Sequence, residues 1–186
     1  MIPTPVAGTL VASYNGTAYP SYEVADPGER VALVERFLAE PDRNCELGMD
    51  FRPGVYPPQP RGGGSPHSVG YLLIGFGDGC GAAYLLRRIG PDHDHWPQWV
   101  TRGTDPSREP STISYDCHTG RVFLRHTVVP LDQLRSVMID YALAGARSDA
   151  VRWAPFDYDT DTWAREPDDA TVARLDAATQ NFADDL

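Results

Sequence analysis

Lysine is absent from this 186-residue chain, and all sixteen basic side chains are arginine. Against them stand 26 Asp and Glu residues, for a formal net charge of −10. Such a chain lacks the cationic surface that non-specific binding to a nucleic-acid backbone requires. It offers instead a field that draws in a basic partner and speeds the encounter. Cysteine is scarce as well. Cys45, Cys80 and Cys117 are odd in number and far apart, which implies neither a disulfide framework nor a C-x-x-C site. The first ten residues, MIPTPVAGTL, have no basic start and no long apolar stretch, so they do not read as a secretory signal. No apolar run approaches the roughly eighteen residues of a membrane span. The expectation is a cytoplasmic protein with reduced thiols, no membrane partner and no direct contact with nucleic acid.

Catalytic signatures are missing too. GFGDGCG (75–81) lacks the spacing of a phosphate loop and precedes no helix, so it reads as a hairpin turn. The H-x-E…P-C-x-x-C pattern of zinc deaminases does not occur. No nucleophile sits beside an evident base. The chain is therefore expected not to be an enzyme and to need no cofactor or metal. DHDHW (92–96) keeps one alternative open. His93 and His95 alternate with Asp92 and Asp94, and Cys117 and His118 are conceivable further ligands for a small metal-dependent enzyme. The motif has no third ligand of its own and reads first as a polar surface loop.

What is present predicts an α+β fold, mainly antiparallel sheet with two or three helices packed on it. With 41% hydrophobic residues, the chain is expected to form one domain over residues 1–186. GTLVASYNGTAY (8–19) places two β-prone runs around Asn15-Gly16, the chemistry of a type I′ hairpin turn. DPGERVALVERFLAEP (26–41) is a helix: Asp26 caps it, Pro27 opens it, and Leu33, Val34, Phe37 and Leu38 form its apolar stripe. CELGMDF (45–51) is a strand. Residues 52–68 carry five prolines and four glycines and are expected to be a flexible loop. The apolar runs 71–76 and 82–86 flank Gly77-Asp78-Gly79 as a hairpin apolar enough for the centre of a sheet. Strands are predicted at 96–103, 111–116 and 121–129. PLDQLRSVMIDYALAG (130–145) is the clearest helix, with Leu134 and Tyr141 on its apolar face and Gly145 in a left-handed C-terminal position. A short strand, AVRW (150–153), follows so closely that Trp153 is expected to bury its ring against that helix and the sheet edge.

The order of these parts resembles a known family. LLIGFGDGCGAAYLL, then TISYDCHTGRVFLRHTVVPLDQLRSVMIDYALAGARSDAVRWAPF, looks like the first-numbered immunity family of bacterial polymorphic toxin systems. The family pattern falls here on Pro130, Leu131, Tyr141, Gly145, Val151 and Trp153, and the resemblance spans roughly residues 69–156. One departure is Arg147, which is followed by Ser148 where the family often has proline. The resemblance implies an antitoxin that binds a cognate toxin, often a nucleic-acid deaminase, and occludes its active site. A protein-binding adaptor of another kind stays open beside it.

Charge is unevenly distributed. Residues 1–154 hold 14 Arg against 17 acids, a net −3, whereas residues 155–186 hold 2 Arg against 9 acids, a net −7. In this acidic C-terminal extension (157–186), FDYDTDTW alternates Asp157, Asp159 and Asp161 with Phe156, Tyr158 and Trp163 nearby. Aromatic anchors within a charged rim suit a protein interface. Asp157, Asp159, Asp161 and Trp163, with Asp92 and Asp94, are the candidate toxin-binding residues. Gly145, Trp153, Tyr141 and Leu134 are assigned to the fold. The alternating aspartates lack the glycine of an EF-hand loop.

Overall fold

The computed structural model describes residues 3–14, 21–39, 47–53, 70–77, 79–87, 98–107, 109–116 and 120–156. Ten strands and two helices occur among them. They are β1 (Gly8–Tyr14), β2 (Tyr22–Val24), α1 (Pro27–Ala39), β3 (Leu47–Pro53), β4 (Gly70–Gly77), β5 (Cys80–Arg87), β6 (Gln98–Arg102), β7 (Pro110–Asp116), β8 (Arg121–Leu124), β9 (Val129–Pro130), α2 (Leu131–Ala144) and β10 (Arg152–Pro155). The main sheet runs β10-β6-β5-β4-β3-β1-β2, with all neighbours antiparallel, and β9 also pairs with β5. This is the expected α+β architecture, with the β4–β5 hairpin in the centre of the sheet. A third helix, expected over 169–182, falls outside the described residues.

Register sorts the side chains between two faces. Ala12, Met49, Leu72, Leu85 and Trp99 stand in one cross-strand row, buried under α1 and α2. The next row, Leu73, Tyr84, Val100 and Ala154, points to the other face, where the separate β7–β8 hairpin covers it with Ile113, Tyr115 and Phe123. Helices, sheet and hairpin thus form three layers around two cores, which is why the central strands are apolar on both faces. Gly75 permits the close approach of β7. A Cβ there would lie 2.1 Å from the Ser114 carbonyl oxygen and 2.7 Å from Ile113 Cγ2.

Both helices have the boundaries their sequences foretell. The Glu29 N–H donates to Asp26 Oδ1 at 2.9 Å, and Pro27 is the first residue of α1. Gly145 ends α2 at φ 62°, ψ 19°, and its N–H donates to the Tyr141 carbonyl at 2.8 Å. Leu134 is fully buried. Tyr141 is buried with its hydroxyl donating to Gly70 O at 2.7 Å and accepting from the Phe51 N–H at 3.4 Å, which ties α2 to the ends of β3 and β4.

A charge closes the structure. Arg30, on α1, is 1% exposed. Its guanidinium donates to the carbonyls of Val6 at 3.1 Å, Ala142 and Leu143 at 3.4 Å, Ala25 at 2.6 Å and, closest, Gly8. It lies 5.2 Å from the centre of the Phe51 ring. Burial draws its pKa below the usual arginine value, and the nearby Asp26 carboxylate opposes that shift. The two α2 carbonyls belong to the last turn of a helix, where orphan acceptors and the negative end of the dipole favour a cation.

Three expectations need correction. A two-residue turn at Asn15-Gly16 would set Tyr14 opposite residue 17, but Ala12 pairs with Tyr22, so the connection is longer and the partner strand is Tyr22–Val24. The strand expected over 121–129 is broken. After β8 the chain makes one 3-10 turn over Arg125–Thr127, closed by the Thr127 hydroxyl on Leu124 O at 2.7 Å, and leaves the hairpin for the main sheet. There β9 takes the stretch of the β5 edge at Cys80–Gly81 that β6 leaves free. Between them, buried Thr101 supplies the missing ladder partner: its hydroxyl accepts from the Ala83 N–H at 3.0 Å and donates to Thr127 O at 2.7 Å. Finally, the last strand is Arg152–Pro155 rather than 150–153, and Trp153 is only partly buried against the helix-side core. Its indole N–H donates to Ser148 O at 2.8 Å, and the Ser148 hydroxyl in turn donates to Asp140 on α2.

Chemical denaturation tests this account. Arg30→Met strands five carbonyl acceptors and is expected to cost about 3 kcal/mol or more. Gly145→Val, forced into the left-handed region, is expected to cost about 2 kcal/mol, and Trp153→Ala about 2 kcal/mol because its ring is half-covered. An unchanged midpoint for Arg30→Met contradicts its role as the central tie.

Candidate functional site

The candidate toxin-binding residues singled out from the sequence, Asp92, Asp94, Asp157, Asp159, Asp161 and Trp163, lie outside the described residues. So do His93, His95, Cys117 and His118. Among the described residues no group of three or more His, Cys, Asp or Glu side chains is placed to hold a metal. What the structure does describe is where the two acidic stretches are rooted.

Those roots are joined. Residues 88–97 connect β5 to β6 and re-enter the sheet at Gln98, which pairs with Leu86. The segment from 157 onward leaves the sheet after β10, at Phe156. The Phe156 N–H donates to the Gln98 carbonyl at 2.9 Å. The described residues that adjoin the two acidic stretches, Gln98 and Phe156, are therefore adjacent strand ends locked by one hydrogen bond. Register places a third departure at the same end of the sheet. Asp50 pairs with Tyr71 and Gly70 with Arg87, so the Pro/Gly-rich segment 54–69 also springs from there.

Phe156 itself corrects an expectation. From sequence it reads as one of several aromatic anchors for a partner. In the structure it is half-buried within the chain, its ring edge-on to Tyr84 at 5.5 Å and to Tyr115 at 6.4 Å. It fastens the start of the acidic segment to the sheet and the covering hairpin. The signal that could have revealed this is the alternation Ala154-Pro155-Phe156, which returns Phe156 to the face of Ala154.

The connection from α2 to β10 forms a corner the sequence left unread. The Arg147 guanidinium lies 5.2 Å from the buried Trp99 ring. Together with the Ser148–Asp140 and Trp153–Ser148 bonds it holds the α2–β10 connection shut. Ser148, which follows Arg147, bonds to both sides of that connection. Next to the segment 54–69 in sequence, Arg52 Nε donates to Asp50 Oδ2 at 3.0 Å, and Asp50 Oδ1 is buried with no hydrogen-bond partner among the described residues.

A family model, described as Immunity protein Imm1, matches residues 22–155. The chain belongs to the Imm1 immunity protein family. No curated protein and no solved structure matches it. The match starts with the first residue of β2 and ends with the last residue of β10, so it takes in α1 and β3, which the sequence resemblance over 69–156 had not reached. Family membership makes the chain an immunity protein with a toxin protein as partner, and the family is generally non-enzymatic. No helix among the described residues is long and apolar enough to cross a membrane.

The ring of Phe156 is expected to matter for more than stability. Phe156→Ala should cost about 1–2 kcal/mol and speed hydrogen exchange at the Phe156 amide relative to β4 and β5. Unchanged exchange there would show that the ring does not anchor the segment.

Proposed function

We propose that this Imm1 protein neutralises its toxin by binding it stoichiometrically in the cytoplasm and occluding its active site, and that the toxin is a deaminase acting on nucleic acid. Such a toxin needs a basic groove to hold its substrate's phosphates. The immunity protein would enter that groove with carboxylates in place of phosphates, using Asp157, Asp159 and Asp161, with Trp163 as an apolar anchor and Asp92 and Asp94 at the rim.

The observation that carries this reading is the Phe156–Gln98 hydrogen bond, which joins the two strand ends that adjoin the acidic stretches. A charge imbalance supports it: the extension from residue 155 holds net −7 of the chain's −10. So does the family boundary, since the match ends at residue 155 and the most acidic part lies beyond it. A shared body with its own acidic attachment suits selective pairing, in which mismatched charges reject other toxins.

Co-expression with the toxin domain encoded beside this chain, followed by size exclusion, should give a one-to-one complex. The triple variant Asp157→Asn, Asp159→Asn, Asp161→Asn is expected to weaken the complex about tenfold or more and to flatten its salt dependence. Asp92→Asn with Asp94→Asn should do so to a smaller degree. If affinity and salt dependence both survive the triple change, the acidic segment does not mimic phosphate.

A further inference from the structure

Among the described residues β10 ends the sheet and pairs with β6 along one side only. One hydrogen bond tells which of its backbone groups face outward. The Phe156 N–H is directed at Gln98, on β6. In an antiparallel strand the N–H and C=O of one residue share a side, and successive residues alternate. Arg152 and Ala154 therefore turn their backbone groups to β6, while Trp153 and Pro155 turn theirs away. Proline has no N–H. The outer edge consequently offers two acceptors, the carbonyls of Trp153 and Pro155, and one donor, the Trp153 N–H.

Charge at this edge is of the uncommon sign. Arg152 pairs directly with Arg102, and both are exposed. The exposed Arg152 guanidinium favours a carboxylate beside it. A second copy of this chain makes a poor occupant, because its own β10 brings the same donor-less proline and more arginine. A toxin held by the segment that continues from Phe156 lies next to this edge.

We infer that the toxin adds an extended segment to β10, donating two N–H groups to Trp153 and Pro155, accepting one from Trp153, and setting an acidic side chain beside Arg152. The inference rests on neutralisation by direct binding.

Hydrogen exchange of the full chain, alone and with the toxin domain encoded beside it, reads this edge. The Trp153 backbone amide should exchange quickly in the free chain and about tenfold or more slower in the complex. Arg152→Glu should weaken binding about tenfold or more with an unchanged thermal melt, since the side chain is exposed. A complex that leaves Trp153 exchange unchanged, or that tolerates Arg152→Glu, overturns strand addition and leaves neutralisation standing. A free chain that elutes as a dimer with the Trp153 amide already slow assigns the edge to a second copy, and also overturns the inference. Failure to form any complex overturns neutralisation itself, and strand addition with it.

Discussion

The guanidinium of Arg30 is the point on which the helical layer turns. It is a charge taken out of water, and nothing acidic is bonded to it among the described residues. Five carbonyls replace its hydration, drawn from the segment before β1, β1 itself, Ala25 between β2 and α1, and the last turn of α2. A planar fork of donors can fan out to that many acceptors, which the compact ammonium of lysine cannot. The arrangement also answers a requirement of α2. Its final carbonyls are buried and have no partners within the helix, and Arg30 together with the Val6 N–H on Leu143 O at 2.9 Å supplies them.

With α2 held at that end, everything after it follows in tight sequence. Gly145 reverses the chain, Ser148 bonds both back to Asp140 and on to Trp153, and β10 is delivered to the side of β6. β10 is only four residues long. It gains its place from contacts at both ends, the α2 corner on one side and Phe156 on the other. The sheet thereby acquires two unlike ends. One is closed by β9 and by the Thr101–Thr127 bridge. The other carries the roots of the long segments, and the proposed toxin contact belongs to that end.

The candidate site was legible as composition and not as geometry. Alternating Asp with aromatics in FDYDTDTW stands out in any reading of the chain, and so does DHDHW. Nothing in their spacing tells that residues 98 and 156, fifty-eight positions apart, are hydrogen-bonded. Nor does it separate Phe156, which packs inward, from the aromatic residues that follow. The Arg102–Arg152 pairing was equally invisible, because cross-strand neighbours depend on register between strands distant in sequence.

Local chemistry in the sequence determined both helices and their ends, the two-residue turn between β4 and β5, the apolar centre of the sheet and the α+β class. Asp26, Pro27, Gly79 and Gly145 act through their own backbone and nearest neighbours, so their effect can be read residue by residue. Tertiary structure alone decided the rest. It split 121–129 between two sheets because β7 and β5 compete for that stretch, and each can be paired by only part of it. It left Trp153 half-covered because β10 sits at the edge of the sheet among the described residues. And it set Gln98 and Phe156, the strand ends that adjoin the acidic stretches, at one end of the sheet because antiparallel pairing returns each strand to the level at which the last one left.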